Sequence, residues 1–224
     1  MIHGHLGQTN PHPRALRSPM NRLCTPLTAW KGSLGEQAIQ TLSEAFTDDP
    51  TSKYFLPEAQ QRAARLRPLF RAAVRHGLDG GSVDLVDGGN GVAVWLRSAT
   101  ARMTVARMIR TGVPATAVAL GFGASRRVLQ FLDWIEKRRE EVLPSPHWYL
   151  LNLAVQPDCQ GQGLGSALLR HGTERAGREV LPCFLETASV RNVELYRRHG
   201  FRQVYEATPT SGGPQMWGFV RPAG

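Results

Sequence analysis

The chain has 224 residues, of which 42% are apolar and 20% charged. A chain of this size buries about 70% of its unfolded surface, so it needs no disulfide framework or metal staple to fold. Its three cysteines, Cys24, Cys159 and Cys183, are too few and too scattered for either, and a reducing, cytoplasmic home is the simplest reading. The net charge is +9, and the excess sits in residues 1–35, with four basic residues and no acid, and in 97–141, with nine basic and four acidic.

Residues 1–24 read as a disordered basic tail, because Pro11, Pro13 and Pro19 punctuate a stretch without apolar periodicity. It has no apolar core of a secretory signal. His3, His5 and His12 lack fixed geometry, so no metal site is expected there, and Met20 is a second candidate start. The globular domain is expected over 25–224. Residues 35–46 carry Ala38, Ile39, Leu42, Ala45 and Phe46 at helical spacing, and Pro50 ends that pattern. Residues 60–77 repeat the period and end at Gly77, which suits a C-cap. Residues 82–86 and 91–96 alternate around Asp87-Gly88-Gly89-Asn90, the pattern of a β-hairpin. Helices broken at Gly112-Val113-Pro114 and at residues 121–123 are expected across 100–143. Within them, the stretch from 113 to 124, about a dozen residues long, falls short of the ~18 apolar residues of a membrane span and reads as a buried helix. A buried strand at 147–155, a helix at 163–178, a strand at 183–187, a helix at 190–199 and strands at 201–207 and 215–220 complete a mixed α/β domain with no internal repeat.

The most informative stretch is Val155-Gln156-Pro157-Asp158-Cys159-Gln160-Gly161-Gln162-Gly163-Leu164-Gly165-Ser166. A strand enters a turn, three glycines alternate, and an amphipathic helix follows. Glycines allow positive φ and close approach, and the free N–H groups of a helix start attract anions, pyrophosphate above all. A dinucleotide fingerprint needs a glycine where Ser166 stands and more chain than remains after it. The phosphate-loop NTPase pattern needs a Lys-Ser/Thr pair that is absent.

Gln160-x-x-Gly163-x-Gly165 after a strand resembles the pyrophosphate loop of GNAT-superfamily N-acetyltransferases, which bind acetyl-coenzyme A. Residues 191–201, with Asn192, Tyr196 and Gly200-Phe201, resemble that superfamily's late Asn, Tyr and Gly-Phe pattern, and residues 45–50 its first acceptor-side loop. Trp148-Tyr149-Leu150, Val155-Gln156-Pro157 and Phe184-Leu185-Glu186-Thr187 look most like the branch containing puromycin N-acetyltransferase. The likeness spans about residues 25–220; it is strong over 147–202 and weak over 97–141. It implies a mixed, mostly antiparallel central sheet flanked by helices and splayed between strands 147–155 and 183–187. Residues 97–146 would form a helical acceptor-side segment.

The resemblance further implies acetyl-coenzyme A as co-substrate, held by Leu153, Ala154, Val155, Gln160, Gly161, Gln162, Gly163, Leu164, Gly165, Ser166 and Asn192. Backbone groups of Leu153 and Val155 would pair with the pantetheine arm as an added strand does. The Val155 N–H would stabilise the developing oxyanion. Tyr196, one helical turn beyond Asn192, would protonate the leaving thiolate. For the base that takes the amine's proton, Glu186, His147, Asp48 and Asp49 are candidates, with Glu186 on the strand beside the gap taken as the catalytic one. Asp48 and Asp49 are alternatively helix caps, and Cys159 reads as structural for want of a base partner. The expected activity is direct acetyl transfer to a primary amine of a small molecule, an antibiotic or metabolite. The alternatives are a protein or peptide N-acetyltransferase and a non-catalytic acyl-coenzyme A-binding regulator. No recognition helix or aromatic-basic motif points to nucleic acid, no membrane partner is expected, and a homodimer is left open.

Overall fold

The structure, a computed structural model, describes residues 23–28, 32–58, 60–102, 104–209 and 212–224, and the backbone alone at Val105. The tail reading of residues 1–22, with His3, His5, His12 and Met20, lies outside the described residues.

Seven strands form one sheet: β1 (Cys24–Pro26), β2 (Gly81–Val86), β3 (Gly91–Arg97), β4 (Trp148–Val155), β5 (Cys183–Thr187), β6 (Arg202–Ala207) and β7 (Met216–Arg221). Their spatial order is β1-β2-β3-β4-β5-β7-β6, and every neighbouring pair is antiparallel except β4 and β5. This is the mixed, mostly antiparallel sheet that the sequence implied. The hairpin forms as expected, with Gly88 at φ 66° in the turn between β2 and β3.

Alternation along the strands gives the sheet two apolar faces. Val83, Leu85, Val92, Val94 and Ala154 face α1 (Ser33–Ala45) and α3 (Arg62–Gly80). On the opposite face Ala93, Trp95, Trp148, Leu150 and Leu185 meet α8 (Leu164–Arg178) and α9 (Val190–Arg198). Two short helices, α4 (Ser98–Ala101) and α5 (Val105–Thr111), lead into α6 (Val113–Leu120) and α7 (Phe122–Val142). α6 packs on α3, and α7 packs on α6 and on α2 (Pro50–Phe55), so this segment closes over the first face.

Three expectations change. α3 does not stop at Gly77: a Cβ there would lie 2.7 Å from Val94 Cγ1 and 2.8 Å from Val83 Cγ2, so the glycine lets the helix pass close to the sheet and the helix continues to Gly80. The apolar run 113–124 is not one buried helix. Gly121, at φ 79°, splits it, and Val118 and Phe122 are 84% and 87% exposed. Finally, β1 adds a strand that has too few residues to show a period, paired along Val86 to Asp84 of β2.

The feature that positions the site is the parting of β4 from β5. They pair only at Trp148, Tyr149 and Leu150 with Cys183, Phe184 and Leu185. Just beyond, the β3–β4 register shifts between Val94 and Trp95, leaving Leu151 as an extra residue. The Gln156 N–H donates to the Asn90 carbonyl at 2.8 Å. Counting back in twos, Ala154 and Asn152 also turn their peptide groups to β3, whereas Leu153 and Val155 turn theirs into the gap.

Candidate active site

One cavity of about 1350 Å³ runs from this gap to the helical segment above the first face. At its open end, the chain leaves β4 through a 3-10 turn, Pro157–Cys159, and enters α8 at Gly163. Gly161 and Gly163 have φ of 74° and 81°, the left-handed region that side chains disfavour. The first intrahelical bond runs from the Ala167 N–H to the Gly163 carbonyl. The N–H groups of Leu164, Gly165 and Ser166 therefore precede it as unclaimed helix-start donors, and Gly163 offers no side-chain cap. A phosphate-bearing ligand suits this site. Arg191 and Arg198, both exposed, also line the cavity and supply positive charge.

The free edge of β4 leads away from this loop. Leu153, Ala154 and Val155 line the cavity, and the Val155 carbonyl accepts from Gln160 Nε2 at 3.2 Å. The peptide groups that turn into the gap suit an extended, amide-bearing arm. Gln160, Gly161, Gly163, Leu164, Gly165 and Ser166 line the same cavity. Gln162 does not; its side chain turns back to the Asp158 carbonyl at 3.4 Å.

Across the gap, Glu186 projects from β5 into the cavity. Desolvation by burial pushes its carboxyl up to about 8, although the hydroxyls of Tyr149 and Tyr205 and the charge of Arg139 pull the other way. The Tyr205 hydroxyl donates to Glu186 Oε1 at 3.3 Å. Arg139 is buried, lies 5.1 Å from the Tyr149 ring centre, and bonds Glu136. The carboxyl thus sits in an organised polar pocket and changes charge close to neutral pH.

Asn192 and Tyr196, one turn apart on α9, both line the cavity. Tyr196 is buried against Phe201 and Phe219. Desolvation, and then the negative charge of Asp49, raises its phenol above the ordinary range and keeps the proton on.

The other base candidates divide. Asp49 lines the cavity and caps α2, accepting from the Thr51 N–H at 2.9 Å; burial raises its carboxyl. Asp48 lines the cavity too, but it is exposed and pairs with Lys53 at 3.3 Å. His147 lies away from the cavity wall with both ring nitrogens engaged. Arg139 donates to its Nε2, so its Nδ1 carries the proton given to the Ser145 carbonyl at 2.7 Å. Cys159 lines the cavity. Among the described residues no group of three His, Cys, Asp or Glu side chains could hold a metal ion.

Sequence reasoning missed the groups that tune Glu186. Tyr149 and Tyr205 are hidden among ordinary strand aromatics. Arg139 did leave a signal: it continues the buried stripe Ala124, Val128, Phe131 and Ile135 of α7, where a basic residue has no solvent to reach.

Comparison with known proteins shows what the chain resembles. A family model described as an acetyltransferase (GNAT) domain matches residues 120–203. An uncharacterised N-acetyltransferase of Schizosaccharomyces pombe is 26% identical over 172 residues, covering 74% of this chain and 70% of the relative. A crystal structure from Corynebacterium glutamicum, described as histone acetyltransferase HPA2 and related acetyltransferase, is 26% identical with a TM-score of 0.65, covering 92% of this chain and 98% of its own. An agmatine N-acetyltransferase, 16% identical with a TM-score of 0.56 over 89% of this chain and 98% of its own, shares the fold.

Proposed function

We propose that this chain is a GNAT-family acetyltransferase that moves an acetyl group from acetyl-coenzyme A to a primary amine of a small molecule, by direct attack within a ternary complex. One observation carries the reading: a single cavity joins the free edge of β4, the glycine-capped start of α8, and the side chains of Glu186 and Tyr196.

Acetyl-coenzyme A supplies an activated acetyl thioester. The residues that would hold it are the helix-start N–H groups of Leu164 to Ser166 for the pyrophosphate, the peptide groups of Leu153 and Val155 for the pantetheine arm, and Asn192 beside that arm. The loop fits such a ligand because its glycines hold the left-handed backbone and a Cβ at Gly161 would meet only open space.

Glu186 is the general base. Its carboxylate takes the proton of the attacking nitrogen, and a pKa of about 8 sets its strength near the working pH. The Val155 N–H, turned into the gap, donates to the oxygen on which charge develops. Tyr196 delivers its phenolic proton to the departing sulfur, and burial holds that proton in place until then. Helices α3, α6 and α7 wall the acceptor end, which favours a small acceptor over a protein chain. Likeness in motif to the puromycin N-acetyltransferase branch supports the same choice.

Thiol release with a panel of amines tests the reading. The wild type releases coenzyme A only when an amine is present. Tyr196→Phe lowers kcat by about 10²-fold or more and leaves the affinity for acetyl-coenzyme A within about twofold. A large loss of affinity instead would make Tyr196 a packing residue.

A further inference from the structure

The acceptor end of the cavity is asymmetric in its chemistry. On α7, Ser125, Leu129, Leu132 and Glu136 line the cavity at spacings of four, three and four residues, so they form one stripe along the helix. The stripe is apolar in its middle, at Leu129 and Leu132, and ends at Glu136, in the charged cluster around Glu186. Leu129 and Leu132 are 53% and 42% exposed, so this wall leaves large aliphatic side chains open to water. The lining residues of α3, α5 and α6 are Leu69, Phe70, Leu120 and their neighbours, with no Asp or Glu among them. Carboxylates of the acceptor end come from the α1–α2 turn, from β5, and from Asp133 and Glu136 of α7. Asp133 is tied to Lys137 at 2.8 Å and Glu136 to Arg139. From Leu129 to Glu136 the stripe extends about 10 Å at 1.5 Å per residue.

We propose that the acceptor is a monoamine with one extended apolar arm, its nitrogen beside Glu186 and its arm lying between the Leu129–Leu132 stripe of α7 and the carboxylate-free walls of α3 and α6. The inference rests on the transferase reading above and narrows its substrate class. It makes polyamines poorer acceptors, because Asp133 and Glu136 are already held by Lys137 and Arg139, so a second ammonium group carried along the arm would meet no unpaired carboxylate on α3, α6 or α7 and would lose its hydration.

The test is a calorimetric titration of the full chain, without acetyl donor, with propylamine, hexylamine, octylamine and spermidine. Each fully buried methylene strengthens binding about fourfold, so octylamine is expected to bind at least about tenfold more tightly than propylamine, and spermidine more weakly than octylamine. In Leu132→Asp the ratio of octylamine to propylamine affinity collapses toward one. Val204→Asp, at an equally exposed valine outside the cavity lining, keeps the ratio. Affinity independent of chain length, tighter binding of spermidine, an unchanged ratio in Leu132→Asp, or no binding of any of the four overturns the proposal. Thiol release with the same amines and acetyl-coenzyme A reads the transferase reaction separately. Octylamine that binds but is never acetylated supports the apolar channel and contradicts the transferase reading. Turnover of spermidine in preference to octylamine contradicts the channel and leaves the transferase reading standing.

Discussion

Glu186 is a carboxyl whose charge state near neutrality is set by three neighbours and its own burial. With its pKa near 8, kcat/KM is expected to rise as pH increases through about 8 for an acceptor amine whose own pKa is well below 7. Glu186→Gln removes that limb and lowers kcat/KM by about 10²- to 10⁴-fold. Tyr205→Phe deletes a hydrogen bond that favours the carboxylate, so it moves the limb to higher pH; a limb unmoved by this change would place the titration elsewhere. The same group links stability to pH. Between about 4.5 and 8 the folded chain keeps a proton on Glu186 that the unfolded chain has released. Stability therefore falls as pH rises across that window, and Glu186→Gln flattens the fall in thermal unfolding. The sequence named Glu186 because it stands on a strand beside the expected gap. It gave no role to Tyr149, Tyr205 or Arg139, which reach the carboxyl from three separate elements through tertiary packing alone.

The proposed cofactor end depends on the loop into α8 and on the seating of α8 itself. The loop into α8 turns on Gly163 at φ 81°. Valine there carries about 1–3 kcal/mol of backbone strain, so Gly163→Val is expected to weaken acetyl-coenzyme A binding by about tenfold to a hundredfold while the thermal midpoint of unfolding moves only a few degrees. Unchanged affinity would make the loop a plain turn. Farther along α8, Gly172 lets the helix lie against Trp95, where a Cβ would come within 2.3 Å of the ring. Gly172→Ala should cost about 1–3 kcal/mol in chemical denaturation through overpacking. Beneath the same helix, Asp84 is fully buried and receives Arg175 Nη1 at 3.0 Å. Asp84→Ala leaves a buried guanidinium without its counter-charge and should cost about 3–5 kcal/mol. Elements with long, clean periods are legible from residue order alone: α1, the β2–β3 hairpin and α8. The short ones are not. β1 has three residues and α2 six, too few for a period to show. Gly77 resembles a stop signal because the sequence carries no sign of the strand packed against it.

The molecule as a whole is one sheet opened along half the length of a single strand pair. The helical segment above it walls one end of the cavity, and the glycine-capped start of α8 borders the other. The order of elements is enough to anticipate a mixed α/β sheet, whereas the parting of β4 from β5 is implied only by the resemblance that the glycine motif carries. The cavity is not legible in the same way, since its walls include residues of α2, α3, α5, α6 and α7 and of the strands β3, β4, β5 and β7, which are distant along the chain. No helix among the described residues is long and apolar enough to cross a membrane. The central claim is that the cavity is built for acetyl-coenzyme A, and isothermal titration of the full chain with acetyl-coenzyme A, NAD and ATP in parallel tests it most directly. Selective binding of acetyl-coenzyme A in the micromolar range, about −8 kcal/mol, is the expected result. Binding of NAD or ATP in its place, or no binding of acetyl-coenzyme A, would contradict it.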